Sequence, residues 1–358
     1  RDVRGRKEVL RELGAEVSDN AHALIVDTAK LNSCQISPKL MQKMRATVFL
    51  MGPLLARFGR VDLCQPGGCN IGARPIDLHL KGLRALGVEF EEEDGCLTGT
   101  VDKMKGAEIH LDFPSVGATE NIMMAATLAQ GQTIISNVAK EPEIVDLQNF
   151  LNRLGAEIKG AGTDIIKIQG VKNLAPVEYE IIPDRIEAGT FLTAGAITGG
   201  EVTIKDVIPE HIEAVMTKLT EAGHNIEVKD KEVSIKAVPR SKEINLKTLP
   251  YPGFPTDMQP QFMSLLTFAQ GESIITETIF ENRLNNAYQL KKMGAEIEVV
   301  DNRAVITGGE EISGSVVQAA NLRAGMALLL AGLRAKGQTI IENIYHIERG
   351  YENLEEKL

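Results

Sequence analysis

One cysteine lies in a glycine-rich loop that has the residue types of a reactive site. Residues 65–73 read QPGGCNIGA, with the thiol at Cys69, and Arg74 follows. Loop glycines allow backbone conformations that other residues avoid and leave N–H groups open to a ligand. A nearby guanidinium stabilises a thiolate and can bind a phosphate or carboxylate through two parallel hydrogen bonds. The loop predicts either a catalytic cysteine beside an anion site or a mobile loop with an incidental cysteine.

Five residues at equivalent places along the chain, four of them charged, indicate a second chemical feature. Each of these residues lies the same number of positions before a glycine of the repeat. The residues are Arg45, Gly117, Arg185, Asp257 and Arg323, and the glycines are Gly59, Gly131, Gly199, Gly271 and Gly337. Each is expected at a helix start, where unpaired N–H groups and the helix dipole attract anions. Taken singly, Asp257 and the segment 115–119 could be ordinary helix caps, and each arginine a solvated surface charge. Their recurrence favours a shared anion-binding cleft.

An internal repeat sets these positions. A phrase like Leu-Gly-Ala-Glu recurs about every 70 residues, and a second phrase like Gly-Gln-Thr-Ile runs out of phase with it. We expect the first-phrase glycines to end amphipathic helices as left-handed caps; they are Gly14, Gly87, Gly155, Gly223 and Gly294. The second phrase follows helices that are apolar on most sides, such as residues 121–129 and 323–331, which predicts buried helices. The fold class is therefore α/β, with internal helices enclosed by helices and sheets.

Composition limits the class of protein. The 358 residues are 43% hydrophobic and 25% charged, typical of a soluble protein with two domains. A net charge of −10 argues against a nucleic-acid surface but allows local basic pockets. Cys34, Cys64, Cys69 and Cys96 have no metal-ligand spacing and do not suggest a disulfide framework, so we expect a reducing cytoplasm. Residues 324–333, the longest apolar run, are too short to cross a bilayer, and no signal peptide is visible at the start.

The motifs taken together resemble the enolpyruvyl transferases, and among these the members that act on UDP-N-acetylglucosamine. The resemblance extends in order along the chain and is carried by residues 66–78, 115–119, 183–187, 254–259, 281–283 and 347–351. It implies two similar inside-out α/β domains, residues 1–182 and 183–358, with the active site in the cleft between them. It also implies that the chain lacks the end of its second domain and an N-terminal segment whose lysine–asparagine pair contacts phosphoenolpyruvate.

The resemblance implies a reaction and roles for individual residues. The enolpyruvyl group of phosphoenolpyruvate is transferred to the 3-hydroxyl of UDP-N-acetylglucosamine with release of phosphate, the first committed step of peptidoglycan synthesis in the bacterial cytoplasm. Cys69 is the implied acid and the implied site of covalent adducts, including one with fosfomycin, and Asp257 removes the hydroxyl proton. Arg74 and Arg349 match phosphate ligands, and Arg283 and Arg323 match residues around the phosphoenolpyruvate carboxylate. Nucleotide contacts are implied at Arg45, Arg74, Pro75, Ile76, Asp77, Leu78, Ser115, Val116, Gly117 and Ile279.

The sequence leaves two alternative functions open. The related 5-enolpyruvylshikimate 3-phosphate synthases share the fold and the donor, although the Cys69 loop and residues 74–78 resemble the nucleotide-sugar enzymes. A non-catalytic protein that binds UDP-N-acetylglucosamine is the other alternative. One departure is Phe113, where some members have a lysine that contacts the nucleotide. The resemblance implies no metal, organic cofactor, nucleic acid or membrane partner, and the sequence gives no indication of oligomeric state. We also expect the Cys69 loop to close on substrate, with Gly67, Gly68 and Gly72 as hinges.

Overall fold

The computed structural model describes residues 2–20, 23–37, 40–41, 45–64 and 75–358, and only the backbone of residues 2–4, 45–46 and 64. These residues divide into two compact units. The first contains the described residues up to Ile181, and the second runs from Ile182 to Leu358.

Within the described residues, helices are interspersed with groups of strands in both units. The α-helices are α1 (Asp2–Glu12), α2 (Met51–Phe58), α3 (Asp77–Ala85), α4 (Val116–Ala126), α5 (Pro142–Arg153), α6 (Arg185–Thr198), α7 (Glu213–Glu221), α8 (Gln259–Leu266), α9 (Ala287–Lys292), α10 (Leu322–Arg334) and α11 (Leu354–Lys357). Short 3₁₀ helices span Arg45–Leu50, Pro209–Ile212, Thr256–Met258, Arg283–Asn286 and Ile344–Arg349.

The strands of the first unit are β1 (Glu16–Asn20), β2 (Ala23–Asp27), β3 (Arg60–Cys64), β4 (Glu89–Glu93), β5 (Cys96–Thr100), β6 (Glu108–His110), β7 (Gln132–Ser136), β8 (Glu157–Lys159) and β9 (Ile165–Gln169). Those of the second unit are β10 (Glu201–Ile204), β11 (Asn225–Lys229), β12 (Glu232–Lys236), β13 (Asn245–Lys247), β14 (Glu272–Thr276), β15 (Glu296–Val300), β16 (Arg303–Thr307), β17 (Val316–Gln318) and β18 (Ile340–Glu342).

The sheets repeat the same topology in the two units. The first unit has a three-stranded sheet in the order β3-β5-β4 and a four-stranded sheet in the order β6-β7-β9-β8. The second unit has the matching orders β10-β12-β11 and β13-β14-β16-β15. In both four-stranded sheets the first pair is parallel and the other pairs are antiparallel. The repeat predicted from the glycine phrases is therefore confirmed in three dimensions.

The repeated glycines have the left-handed backbone predicted for them. All five first-phrase glycines have positive φ, from 92° at Gly294 to 104° at Gly155. The third copy of the second phrase contains two adjacent glycines, Gly199 and Gly200. Gly199 is the left-handed one, with φ 72°, and Gly200 is not among the positive-φ glycines. A side chain at these positions would be strained, so glycine is what allows each helix to turn into the next strand.

Buried helices form the centre of each unit, as predicted. In the second unit α6, α8 and α10 pack against one another, and all eight residues of α8 are buried. In the first unit α2 packs on α4, where an added Cβ at Gly52 would lie 2.3 Å from the carbonyl oxygen of Asn121. Only glycine allows these two backbones to approach so closely. The fold class is α/β, with helices inside and sheets outside.

One cysteine differs from the expectation of reduced thiols. Cys96 on β5 is disulfide-bonded, and its Cα faces that of Cys64 in the antiparallel register of β3 and β5. Cys34 is a free thiol. Direct cross-strand pairing, which spacing in the sequence did not indicate, brings the two backbone positions together.

Candidate functional site

Asp257 is the centre of a cluster of charged side chains in the second unit. It lies in the 3₁₀ turn that leads into α8. Its Oδ1 accepts a short hydrogen bond from Arg283 Nη2, and its Oδ2 lies 3.1 Å from Arg323 Nη2 and 3.2 Å from Arg323 Nε. The side chain of Asp257 is 39% exposed, against 3% for Arg283 and 14% for Arg323. The alternatives of a helix cap for Asp257 and a solvated surface charge for Arg323 are therefore wrong.

The two guanidiniums decide the charge state of Asp257. Burial by itself raises the pKa of this carboxyl, but the charges and hydrogen bonds of Arg283 and Arg323 outweigh it and hold the pKa well below its usual range. Burial lowers the pKa of Arg323, yet the facing carboxylate keeps it above the usual arginine range. The cluster is thus a fixed carboxylate between two fixed cations.

Tyr351 extends this cluster into the core and was not predicted as a site residue. Its hydroxyl accepts a hydrogen bond from Arg323 Nη1 at 3.2 Å and lies 2.9 Å from Thr190 Oγ1. Thr190 donates its own proton to the Ile186 carbonyl at 2.6 Å, so Tyr351 must be the donor to Thr190. The signal in the sequence was weak, because a tyrosine after the Ile-Glu-Arg-Gly segment is equally compatible with simple packing.

Arg349 lies on the segment that Tyr351 anchors. It ends the 3₁₀ helix Ile344–Arg349, two residues before Tyr351, and is half-buried. Because Tyr351 is only 3% exposed and is hydrogen-bonded to Arg323, the segment that carries Arg349 is tied to the Asp257 cluster.

Helix starts in the second unit lie where the sequence predicts. Asp184 caps α6 by accepting hydrogen bonds from the N–H groups of Ile186 and Glu187 at 2.8 and 3.1 Å. Asn321 caps α10 in the same way, with Arg323 N at 3.1 Å. Arg185 opens α6, and its guanidinium lies 5.8 Å from the ring centre of Tyr251. Side-chain caps thus fix the backbone next to Arg185 and Arg323.

Two other segments predicted to bind the substrate meet in the first unit. Pro75, Ile76, Asp77 and Leu78 lead into α3, and Ser115, Val116 and Gly117 begin α4, with Ser115 Oγ accepting from Ala118 N at 3.3 Å. An added Cβ at Gly117 would lie 3.1 Å from Cε1 of His79, so the first turns of the two helices are neighbours. Asn121 reinforces this contact, because its Nδ2 lies 3.0 Å from His79 Nδ1.

Of the remaining predicted site residues, the described ones lie outside the Asp257 cluster and outside the first turns of α3 and α4. Ile279 follows β14 and is half-buried, and Phe113 is 45% exposed in the segment before α4. Arg45 opens a 3₁₀ helix, but its side chain lies outside the described residues. Cys69, Arg74 and the loop glycines Gly67, Gly68 and Gly72 also lie outside the described residues.

The part of the chain that the structure describes holds neither a metal-ligand cluster nor a membrane-spanning helix. Within that part, no group of three or more His, Cys, Asp or Glu side chains is placed to hold a metal ion. None of the helices there combines the length and apolar character needed to cross a bilayer.

Comparison with known proteins identifies the family. The family model of EPSP synthase (3-phosphoshikimate 1-carboxyvinyltransferase) matches residues 1–358. A UDP-N-acetylglucosamine 1-carboxyvinyltransferase 1 of Symbiobacterium thermophilum is 54% identical over 364 residues, covering 100% of this chain and 82% of that protein. Its namesake from Carboxydothermus hydrogenoformans is 53% identical over 356 residues, covering 99% of this chain and 84% of that protein.

Solved structures show the same fold. The enolpyruvyl transferase NikO from Streptomyces tendae superimposes with a TM-score of 0.88 at 24% identity, over 99% of this chain and 85% of that chain. An EPSP synthase from Acinetobacter baumannii gives a TM-score of 0.70 at 19% identity, over 97% of this chain and 84% of that chain. The full-length family match and the close relatives agree with the repeat, the sheet orders and the buried helices. The chain belongs to the EPSP synthase family of enolpyruvyl transferases.

Proposed function

We propose that this protein transfers the enolpyruvyl group of phosphoenolpyruvate to the 3-hydroxyl of UDP-N-acetylglucosamine and releases phosphate. The observation that carries the proposal is the clamp of the Asp257 carboxylate by Arg283 and Arg323, in a chain 54% identical to a relative named for this transfer. The reaction is the first committed step of peptidoglycan synthesis, and its substrates place it in the bacterial cytoplasm.

Asp257 is the proposed base for the sugar hydroxyl. A base must be unprotonated at neutral pH, and the lowered pKa of Asp257 meets that condition. A carboxylate held so strongly by two guanidiniums is nevertheless a weak base. An event that loosens the clamp would raise its pKa and improve proton transfer.

Phosphoenolpyruvate supplies such an event. Its carboxylate is chemically equivalent to the Asp257 side chain, and Arg283 and Arg323 present planar guanidiniums that suit a carboxylate. Donor binding at these arginines would compete with Asp257 for their N–H groups. Asp257 then recovers a more ordinary pKa once both substrates are bound.

Protonation and phosphate departure are assigned to the other predicted residues. We propose Cys69 as the acid that protonates the methylene carbon and as the site of covalent adducts with substrate and fosfomycin. Arg74 and Arg349 would bind the phosphate. The tie between Tyr351 and Arg323 supports this role for Arg349, since it holds the Arg349 segment beside the Asp257 cluster.

The nucleotide is proposed to bind at the paired first turns of α3 and α4. Residues 75–78 and 115–117 come together there, and free N–H groups at a helix start favour a negatively charged diphosphate. Arg45 and Ile279 would complete the contacts. Phe113, partly exposed in the segment before α4, offers an apolar contact in place of the lysine of some relatives.

A phosphate-release assay separates this function from its alternatives. We expect release from phosphoenolpyruvate with UDP-N-acetylglucosamine as acceptor and none with shikimate 3-phosphate. The opposite preference would favour the EPSP synthase activity named by the family model. Binding of UDP-N-acetylglucosamine without any phosphate release would favour the non-catalytic alternative.

A further inference from the structure

We propose that the buried Glu277 is a positioning residue that holds Asp257 and Ile279 in place for the acceptor substrate. The inference rests on the proposed function, in which these two residues contact the nucleotide sugar. Glu277 follows β14 and is 3% exposed. Neither the repeat nor the motifs single it out.

The carboxylate of Glu277 accepts four hydrogen bonds from three segments. Oε2 accepts from the Thr256 hydroxyl at 2.9 Å. Oε1 accepts from the Thr248 hydroxyl at 2.8 Å and from the backbone N–H groups of Ile279 and Phe280 at 2.7 and 3.2 Å. One side chain therefore joins the turn that carries Asp257 to the loop that carries Ile279.

The frame around Glu277 is itself fixed. Its N–H donates to the Asn302 carbonyl at 2.9 Å, and the Thr248 hydroxyl accepts from Thr278 N at 2.9 Å while donating to Glu277. Thr248 is fully buried, with no exposed surface. Because Thr248 is anchored in this way and Thr256 directly precedes Asp257, a shift of Glu277 would move the Asp257 turn relative to Ile279.

The roles of the two oxygens suggest which substitutions matter. An amide oxygen can replace Oε1, and the amide NH₂ can donate to Thr256, whose hydroxyl both accepts and donates. Glu277→Gln should therefore keep the frame. Glu277→Met has a similar size but no acceptor, so it leaves the half-buried N–H of Ile279 without its partner.

Thr256 offers a milder test that does not disturb the rest of the frame. Thr256→Val keeps the shape of the side chain and deletes the hydroxyl that reaches Glu277, and Thr256→Ser keeps the hydroxyl. Ser273→Ala is the matched control, because Ser273 also links neighbouring strands of this sheet, accepting from Ile244 N at 3.2 Å, without a bond to the Asp257 turn.

The experiment measures steady-state phosphate release by the full-length protein with each substrate varied, and calorimetric binding of UDP-N-acetylglucosamine. We expect Thr256→Val and Glu277→Met to lower kcat/KM for UDP-N-acetylglucosamine by about tenfold or more and to weaken its binding. The KM for phosphoenolpyruvate should not rise. Thr256→Ser, Glu277→Gln and Ser273→Ala should stay within about twofold of the wild type.

The kinetics of these variants decide whether Glu277 positions Asp257 and Ile279. If Glu277→Met fails to fold, the comparison of Thr256→Val with Thr256→Ser decides. Equal kinetics for those two variants, or equal KM increases for donor and acceptor, would overturn the positioning role. A wild-type protein that releases no phosphate with either acceptor would overturn the proposed function first, and the inference with it.

Discussion

Asp257 Oδ2 lies 3.1 Å from Arg323 Nη2, although 66 residues separate the two in the chain. Arg283 closes the clamp from the other side. The pair joins the starts of α8 and α10, two buried helices of the second unit. The helices that form the core of this unit therefore also hold the carboxylate of Asp257, whose pKa is strongly lowered.

The hydrogen bonds of Arg283 and Arg323 to Asp257 predict how the free energy of unfolding depends on pH. Because the pKa of Asp257 is lowered in the folded state, its contribution is complete above about pH 4 and is lost as the pH falls below that value. We expect Asp257→Asn to lower the free energy of unfolding in urea at pH 7, with a difference from wild type that shrinks below about pH 4. Asp112→Asn, at an exposed pair with Lys81, should change little. A constant difference for Asp257→Asn across this range would contradict the assignment.

Removing the Tyr351 hydroxyl should damage both stability and activity. Tyr351→Phe removes the acceptor of Arg323 Nη1 in a buried place, as well as one of the hydrogen bonds of Thr190, which costs about 1–3 kcal/mol. It also frees the segment that carries Arg349, so we expect a lower kcat. The control is Tyr288→Phe, at a tyrosine that is 64% exposed and whose ring contact with Lys292 needs no hydroxyl. Equal unfolding free energies for the two variants would argue against this role.

The sequence alone was enough to predict the architecture, but it did not predict the side-chain contacts of the candidate site. The glycine phrases gave the repeat because a left-handed cap leaves few residue types to choose from. They also placed Arg185 and Arg323 at helix starts, since the same number of residues separates each of these positions from its glycine. The clamp on Asp257, the Tyr351 hydroxyl and the frame of Glu277 depend on side chains from distant segments that meet only after folding. These contacts follow no repeat spacing, so a single sequence does not show which distant side chains will be in contact.

His224 should make stability depend on pH between about 4 and 6.5. Burial lowers its pKa to about 4, and its ring contacts Ser241 Oγ at 3.0 Å and Val238 N at 3.3 Å. Below about pH 6.5 the unfolded histidine binds a proton that the folded one does not, so stability falls by at most about 3 kcal/mol on the way to pH 4. His224→Gln should flatten this part of the urea-unfolding profile. His110→Gln, at an exposed histidine, is the control, and identical profiles for both variants would rule out the effect.

The proposed role of Cys69 predicts a single site of alkylation. Fosfomycin should add one adduct to the intact protein, measured by mass spectrometry. The adduct should disappear in Cys69→Ser and persist in Cys34→Ser, where the free thiol Cys34 serves as the control. An adduct that survives Cys69→Ser would place the reactive thiol elsewhere.

The most direct test of Asp257 as the catalytic base is phosphate release by the wild-type protein and by Asp257→Asn, with phosphoenolpyruvate and UDP-N-acetylglucosamine added separately and together. We expect release only when both substrates are present, and a rate about 10²–10⁴-fold lower in the variant because it lacks the catalytic base. Release by Asp257→Asn at the wild-type rate would contradict this role.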